Sequence, residues 1–100
     1  MAVEEPSIPK VTIIIPVYNE EGILESSITE LTDELSKRSW SYELILAENG
    51  SKDSTVALGQ AIAKQDPRVR LYSVGEPNYG KALREGILKA QGEYVICDEI

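Results

Sequence analysis

Residues 11–17 read VTIIIPV and continue without a break into the polar sequence YNEE at positions 18–21. Two further apolar runs also end in carboxylates and amides, in residues 44–49 (LILAEN) and 94–99 (YVICDE). Short runs rich in valine and isoleucine are typical of strands that are buried on both faces of a parallel sheet. Because ligands bind beyond the carboxyl ends of such strands, the three polar clusters predict one common site.

Helix-like segments alternate with these strands. After the first strand, apolar residues recur at spacings of four, three and four, which predicts the buried face of an amphipathic helix. That face comprises Leu24, Ile28, Leu31 and Leu35. A second helix is predicted over about 53–65 and a third over about 79–91, with a half-exposed edge strand at 69–74 between them. Their expected packing residues are Val56, Ala57, Ala61 and Ile62 in the second helix and Leu83, Ile87 and Ala90 in the third.

The order βαβαβαβ, with short connections, predicts a parallel sheet with right-handed crossovers. We expect a Rossmann-like three-layer α/β/α domain with strand order 3-2-1-4, so that the first and fourth strands are neighbours at the switch point. The ordered domain is expected to span residues 10–100, after a loose acidic leader at 1–9. One hundred residues suffice for one small hydrophobic core.

Composition excludes several classes of function. The chain has no histidine, which removes Ser-His and Cys-His catalysis and zinc sites built on imidazole. Its net charge of −7 argues against a nucleic-acid surface. The phosphate-binding motifs GxxxxGK[ST] and GxGxxG are both missing, which disfavours P-loop and dinucleotide-binding domains. Cys97, the only cysteine, is expected to be a small core residue of a cytoplasmic protein.

Three segments in order resemble the N-terminal half of family 2 glycosyltransferases of the GT-A fold: 13–21 (IIIPVYNEE), 44–55 (LILAENGSKDST) and 78–99 (NYGKALREGILKAQGEYVICDE). The resemblance is greatest to polyprenyl-phosphate transferases of the dolichol-phosphate mannose synthase type. It implies a truncated GT-A domain that binds a UDP- or GDP-sugar and transfers the sugar to a polyprenyl phosphate or a glycan. The resemblance also implies that the full-length protein is membrane-associated, with its catalytic base and acceptor site beyond Ile100.

The resemblance also implies roles for individual residues. The donor is expected to bind at the ends of the first two strands and at the start of the third helix, through Pro16, Tyr18, Glu20, Glu48, Asn49 and Lys81. Asp98 and Glu99 are expected to hold Mg²⁺ or Mn²⁺, hard cations that prefer carboxylate oxygens. Such a cation neutralises the diphosphate as it leaves. Two positions depart from the family pattern, since Asn49 replaces an aspartate and Ile100 stands where the second aspartate of D-x-D is expected.

Some of these residues and their neighbours also suit purely structural roles. Asn19, Glu20 and Glu21 suit the N-terminus of the first helix, where a cap and negative charge are favourable. Lys81 and Arg84 suit a solvated helix face. The alternative function is a non-catalytic nucleotide-binding module, or a fragment that forms homo-oligomers through uncovered apolar surface. Sugar transfer and the oligomeric state distinguish these possibilities.

Overall fold

The computed structural model describes residues 8–99, which form a four-stranded sheet and three helices. The predicted leader at 1–9 therefore lies almost wholly outside the described residues, as does Ile100. The strands are β1 (Val11–Val17), β2 (Tyr42–Glu48), β3 (Val69–Ser73) and β4 (Tyr94–Cys97). The helices are α1 (Leu24–Ser36), α2 (Thr55–Gln65) and α3 (Tyr79–Lys89).

All strand pairs are parallel, and the strand order is β3-β2-β1-β4, which confirms the predicted topology. β1 pairs with β2 along its whole length and ends with Val17 opposite Glu48. β4 pairs only with the first part of β1, and Cys97 lies opposite Ile14. The chain therefore has a switch point between β1 and β4, where ligands bind in open parallel sheets.

The core lies on both faces of β1 and β2, because successive side chains of a strand point to opposite faces. On one face, α1 and α2 pack against a layer that includes Ile13 and Ile15. On the other face, α3 packs through Ala82 against Ile14 and Ile45. Full burial of each such aliphatic side chain contributes about 1.5–3 kcal/mol before chain entropy is counted.

The predicted buried face of α1 is confirmed, since Leu24, Ile28 and Leu35 are buried and Leu31 packs against them. The predicted packing residues of α2 and α3 are partly wrong. Ile87 is 50% exposed, and α3 meets the sheet through Ala82 and Gly86 instead. In α2, Ala57 and Ala61 are exposed, while Thr55 and Gly59 are buried. Small residues allow the closest approach of a helix to the sheet, and this shifts the buried face away from the larger side chains.

The prediction that β4 is a buried strand is also wrong. Tyr94, Val95 and Ile96 are 43–57% exposed, and Cys97 is an exposed free thiol instead of a core residue. The reason is that α2 and α3 pack against β1, β2 and β3. An apolar strand is buried only where another element covers it, and within residues 8–99 the helices are placed over the other strands.

Within residues 8–99, no helix combines the length and the apolar composition that crossing a bilayer requires.

Candidate functional site

A cleft of about 290 Å³ opens at the carboxyl ends of β1 and β2. Its walls are formed by Pro16, Val17, Tyr18, Glu20, Asn49, Tyr79 and Glu99. The fold thus brings together four of the predicted donor-binding residues and one of the two predicted metal-binding residues. Tyr79, the first residue of α3, was not among the predicted site residues. Its sequence signal was weak, because an aromatic residue at the start of a helix is equally compatible with packing.

The β1–α1 loop and the β2–α2 loop are held together by hydrogen bonds. The backbone N–H of Asn19 donates to Ser51 Oγ at 2.9 Å, and the N–H of Lys52 donates to Asn19 Oδ1 at 2.9 Å. The N–H of Glu20 donates to Thr55 Oγ1 at 2.8 Å. Tyr18 and Glu20 are therefore presented on a loop that is anchored on both sides to the neighbouring loop.

Asn19 does not cap α1, so this open possibility is excluded by the structure. The helix begins at Leu24 without a side-chain cap, and the Asn19 side chain accepts from the β2–α2 loop instead. The φ angle of Asn19 is +51°, a left-handed conformation that asparagine tolerates better than most residues. Asn19 is thus a loop connector that sets the direction of the chain next to Tyr18.

The acidic side chains Glu21 and Asp53 strengthen the same connection. The N–H of Ser54 donates to Glu21 Oε2 at 2.9 Å, and the N–H of Glu21 donates to Asp53 Oδ2 at 3.3 Å. Asp53 Oδ1 also accepts from the N–H of Thr55 at 2.9 Å, at the start of α2. Desolvation acts to raise the pKa of Asp53, but the hydrogen bonds from Thr55 and Glu21 hold it below its ordinary value.

Glu48 lies beneath the cleft and is fully buried. One carboxylate oxygen accepts from the backbone N–H of Ser51, and the other accepts from Ser73 Oγ at 2.6 Å. Burial acts to raise the pKa of Glu48, but the hydrogen bonds from Ser51 and Ser73 outweigh it and hold the pKa below its ordinary value. In this structure Glu48 supports the loop and does not line the cleft, so a direct contact with the donor stays a prediction.

Asn49 reaches the cleft because the chain makes a tight turn after it. Its N–H donates to the carbonyl oxygen of Val17 at 3.1 Å, which extends the pairing of β1 and β2 by one residue. Gly50 follows with a φ angle of +86°, and a Cβ atom there would lie 2.3 Å from the carbonyl carbon of Glu76. Only glycine allows the β2–α2 loop to pack this closely on the turn before α3.

Lys81 lies in the first turn of α3 and outside the cleft lining. Its backbone N–H donates to Asn78 Oδ1 at 3.0 Å, which caps the helix. Its ammonium group is 3.4 Å from Glu76 Oε1, in the turn that packs against Gly50. A contact between Lys81 and donor phosphates therefore stays a prediction.

Asp98 and Glu99, the two predicted metal-binding residues, both line a groove against α1, but only Glu99 also lines the cleft. The N–H of Asp98 donates to the carbonyl oxygen of Ile14 at 2.9 Å, and its side chain lines a groove of about 360 Å³ against α1. Glu99 lines both that groove and the cleft, and its Oε1 lies 3.5 Å from the hydroxyl of Tyr79. Glu99 therefore connects the two spaces.

The carboxylates at this edge could bind a cation whose remaining ligands come from a phosphate group. Within residues 8–99, no three Asp, Glu, Cys or His side chains are grouped closely enough to hold a metal by themselves. Magnesium bound together with nucleotide phosphates needs only one or two carboxylates, because phosphate and water oxygens complete its shell. Glu99, in the cleft, and the adjacent Asp98 are the carboxylates at this edge that could hold such a cation.

The sequence matches one protein family and several known proteins. The family model described as glycosyl transferase family 2 matches residues 12–97. A dolichyl-phosphate beta-glucosyltransferase from Dictyostelium discoideum is 34% identical over 94 residues, which cover 85% of this chain and 28% of that protein. An undecaprenyl-phosphate 4-deoxy-4-formamido-L-arabinose transferase from Yersinia pestis (strain Pestoides F) is 35% identical over 99 residues, which cover 96% of this chain and 30% of that protein.

A solved structure also resembles the fold. Glucosyl-3-phosphoglycerate synthase from Mycobacterium tuberculosis, solved in complex with Mn²⁺, uridine diphosphate and glucosyl-3-phosphoglycerate, superposes with a TM-score of 0.68. Its sequence is 25% identical, and the match covers 91% of this chain and 33% of that chain. The present chain thus spans about a third of the length of the proteins that it matches.

Proposed function

The chain belongs to glycosyl transferase family 2, and we propose that it forms the donor-binding part of an enzyme that transfers a sugar from a nucleotide-diphosphate sugar. The observation that carries this proposal is the cleft at the ends of β1 and β2, where Tyr18, Asn49 and Glu99 meet. These three side chains supply an aromatic ring, an amide and a carboxylate. The ring suits a base or ribose, the amide suits the hydrogen-bonding edge of a base, and the carboxylate suits the cation bound to the diphosphate.

We assign each cleft residue to a different part of the sugar-nucleotide donor. The ring of Tyr18 is 39% exposed and offers a surface on which a base or ribose packs. The carboxylate of Glu20 accepts hydrogen bonds from ribose hydroxyls. The amide of Asn49 both donates and accepts, which complements the hydrogen-bonding edge of a base. Tyr79, which also lines the cleft, adds a hydroxyl and a second ring.

Glu99 and Asp98 would hold the divalent cation, Mg²⁺ or Mn²⁺, at the edge of this cleft. When bound, the cation neutralises the charge of the diphosphate leaving group. The carboxylates of this chain repel a diphosphate in the absence of a cation, so donor binding depends on the metal. The Mn²⁺ and uridine diphosphate in the related mycobacterial enzyme support this assignment.

The acceptor that we propose is a polyprenyl phosphate. Support comes from the two relatives, whose names specify dolichyl-phosphate and undecaprenyl-phosphate as the molecules on which they act. An acceptor of this kind places the enzyme at a membrane surface. We propose that the chain lies on the cytoplasmic side of that membrane.

Isothermal titration calorimetry of this chain with UDP and with GDP, each with and without Mn²⁺, tests donor binding. We expect one of the two nucleotides to bind only when Mn²⁺ is present. Tyr18→Ala and Asn49→Ala are each expected to weaken binding by about ten-fold, which corresponds to about 1.4 kcal/mol. Tyr94→Ala removes another exposed tyrosine, at the other end of the sheet, and serves as the control.

The metal assignment is tested by Glu99→Gln and Asp98→Asn, with Glu93→Gln as a control outside the cleft lining. We expect the first two variants to lose the Mn²⁺ dependence of nucleotide binding, and Glu93→Gln to keep it. If the folded wild-type chain binds neither nucleotide in the presence of Mn²⁺, the proposed donor site is wrong.

A second candidate function is self-association without turnover, which the exposed β4 favours. Val95 and Ile96 are 43% and 47% exposed, and β4 contains no charged residue. Uncharged apolar edge strands are prone to pair with other chains. Light scattering at several protein concentrations tests this candidate. A dimer that Val95→Lys converts to a monomer supports it, whereas a monomer at all concentrations excludes it.

A further inference from the structure

A larger cavity, of about 560 Å³, lies at the opposite end of the sheet, where β2 and β3 begin. Its polar and aromatic lining includes Arg38, Trp40, Tyr42, Glu43, Arg68 and Arg70. None of these residues takes part in the cleft at the carboxyl ends of β1 and β2. The proposed donor site therefore does not account for this second cavity.

The lining of the cavity is basic in a chain that is acidic overall. It contains three arginines and one carboxylate, whereas the whole chain has 10 basic and 17 acidic residues. The carboxylate, Glu43, is buried and already accepts from Thr12 Oγ1 at 2.6 Å and from the N–H of Gln91 at 2.6 Å. Glu43 also pairs with Arg70, so it has little remaining capacity to neutralise a further cation in the cavity.

Arg38 and Arg68 differ in how they are held. Arg68 forms two hydrogen bonds to Asp66, of 3.1 and 3.2 Å. The guanidinium group of Arg38 lies 5.7 Å from the ring centre of Trp40, and among the ion pairs formed within residues 8–99 none involves Arg38. Arg38 is therefore a cation positioned by an aromatic ring and available to an anion.

Two buried polar atoms beside the cavity lack a hydrogen-bond partner within the described residues. Within residues 8–99, the buried side-chain polar atoms without a hydrogen-bond partner are Tyr42 Oη and Arg70 Nε, and both residues line this cavity. An unsatisfied buried polar atom costs about 1–3 kcal/mol. The Nε–H of arginine can only donate, so only an acceptor group would satisfy it.

We propose that this cavity binds a phosphorylated molecule, with Arg38 at the phosphate and Trp40 against a flat or apolar part of the ligand. A phosphate group presents several anionic acceptors, which match the planar fork of a guanidinium group. Free phosphate esters and the headgroups of anionic lipids share this chemistry. The site is independent of the donor cleft, which lies at the other end of the sheet.

Trp40 makes the cavity directly observable, because it is the only tryptophan of the chain. Titration with phenyl phosphate, followed by tryptophan fluorescence and by calorimetry, is expected to give a saturable change. Inorganic phosphate, which has no ring, is expected to bind more weakly. Tryptophan fluorescence that is unchanged by both probes, together with no heat of binding, would overturn the proposal.

Arg38→Gln is the decisive variant, since this exposed side chain carries no ion pair within the described residues and its loss leaves the core intact. We expect it to weaken phenyl phosphate binding by about ten-fold, or about 1.4 kcal/mol. Arg84→Gln removes the same charge from an exposed position on α3, outside the cavity, and is expected to bind like the wild type. Equal affinity in the two variants would show that the cavity is not the phosphate site.

Vesicle sedimentation distinguishes the two sources of phosphate. Vesicles of phosphatidylglycerol and of phosphatidylcholine are compared with wild type and Arg38→Gln. Binding to phosphatidylglycerol that Arg38→Gln abolishes identifies a lipid headgroup as the ligand. Phenyl phosphate binding without vesicle binding identifies a phosphate ester in solution.

Discussion

The ends of β2 and β4 lie at the same edge of the sheet, but they are built differently. Every residue from Tyr42 to Asn49 is buried, and Glu48 is held by hydrogen bonds from Ser51 and Ser73. All four residues of β4 are exposed. Asp98, beyond β4, is exposed as well, and its side chain accepts from the N–H of the adjacent Glu99.

This difference separates the two halves of the proposed donor site. The half at β1 and β2, which we assign to the base and ribose, is fixed by the packing of residues within this chain. The half at β4, which we assign to the metal, rests on a strand that has a neighbour on one side and no covering helix in the described residues. The proposed nucleoside half is therefore more strongly pre-organised than the proposed metal half.

The largest expected effect is that of Gly50→Ala, which tests the rigidity of the β2–α2 loop. A Cβ at Gly50 meets the backbone of Glu76 at 2.3 Å, and the φ angle of +86° is unfavourable for alanine. We expect the free energy of unfolding to fall by about 3 kcal/mol, since strain and overpacking each cost about 1–3 kcal/mol. Urea denaturation measures the change.

Gly75→Ala is the matched control, because Gly75 has a similar φ angle of +76° with nothing within 4 Å of the added Cβ. It isolates the conformational cost, which we expect to be about 1–2 kcal/mol. Equal losses for the two variants would mean that the close approach of the β2–α2 loop to Glu76 contributes nothing.

Glu48→Ala compares the two strand ends directly. It leaves the N–H of Ser51 and the hydroxyl of Ser73 without their acceptor, so we expect a loss of about 2–3 kcal/mol in the free energy of unfolding. Asp98→Ala, at the end of β4, is expected to change that free energy by less than about 0.5 kcal/mol. A larger loss for Asp98→Ala than for Glu48→Ala would reverse our comparison of the two ends.

The pH dependence of stability provides a smaller effect with a defined sign. Because the folded pKa of Glu48 is lowered, its ionised form stabilises the fold above the unfolded pKa, which is about 4.3. That contribution is lost as the pH falls through the folded pKa. We expect the wild type and Glu48→Gln to differ most in unfolding free energy near neutral pH and to converge at low pH. A difference that stays constant down to pH values of about 2 contradicts the assignment.

Hydrogen exchange is expected to show the smallest difference. The amides of β2 lie between β1 and β3, whereas β4 pairs only with β1 among the described strands. We expect the hydrogen-bonded amides of β4 to exchange at least about ten-fold faster than those of β2, a difference of about 1.4 kcal/mol in opening free energy. Equal protection factors, measured by NMR, would show that β4 opens only with the whole domain.

Several features of the site were predictable because they depend on the order of residues along the chain. The apolar run from Val11 to Val17 and the polar residues after it predicted both a strand and a site at its end. Tyr18, Asn49 and Glu99 lie at one cleft because parallel strands deliver their carboxyl ends to one edge, whereas Glu48 and Asp98, also expected there, lie outside its lining. The donor and metal roles of these residues stay predictions.

Other features were not predictable, because they depend on contacts between distant segments. The pattern of Tyr94 to Cys97 resembles that of the buried strands, yet burial requires a covering element that the pattern itself does not reveal. Similarly, no spacing rule brings Arg68 to the same cavity as Arg38 and Trp40, since Arg68 lies in the connection before β3 and the other two lie in the connection before β2.

The sequence alone determined the alternation of strands and helices, the parallel sheet and the residues that follow each strand, because hydrophobic periodicity and strand direction are local properties of the chain. The tertiary structure decided which of those residues face the cleft and which support it. Glu48 and Asn49 are neighbours, but one is satisfied by Ser51 and Ser73 and the other lines the cleft. Their different roles arise because β3 and the turn before α3 close over the end of β2, and only the folded chain brings these segments together.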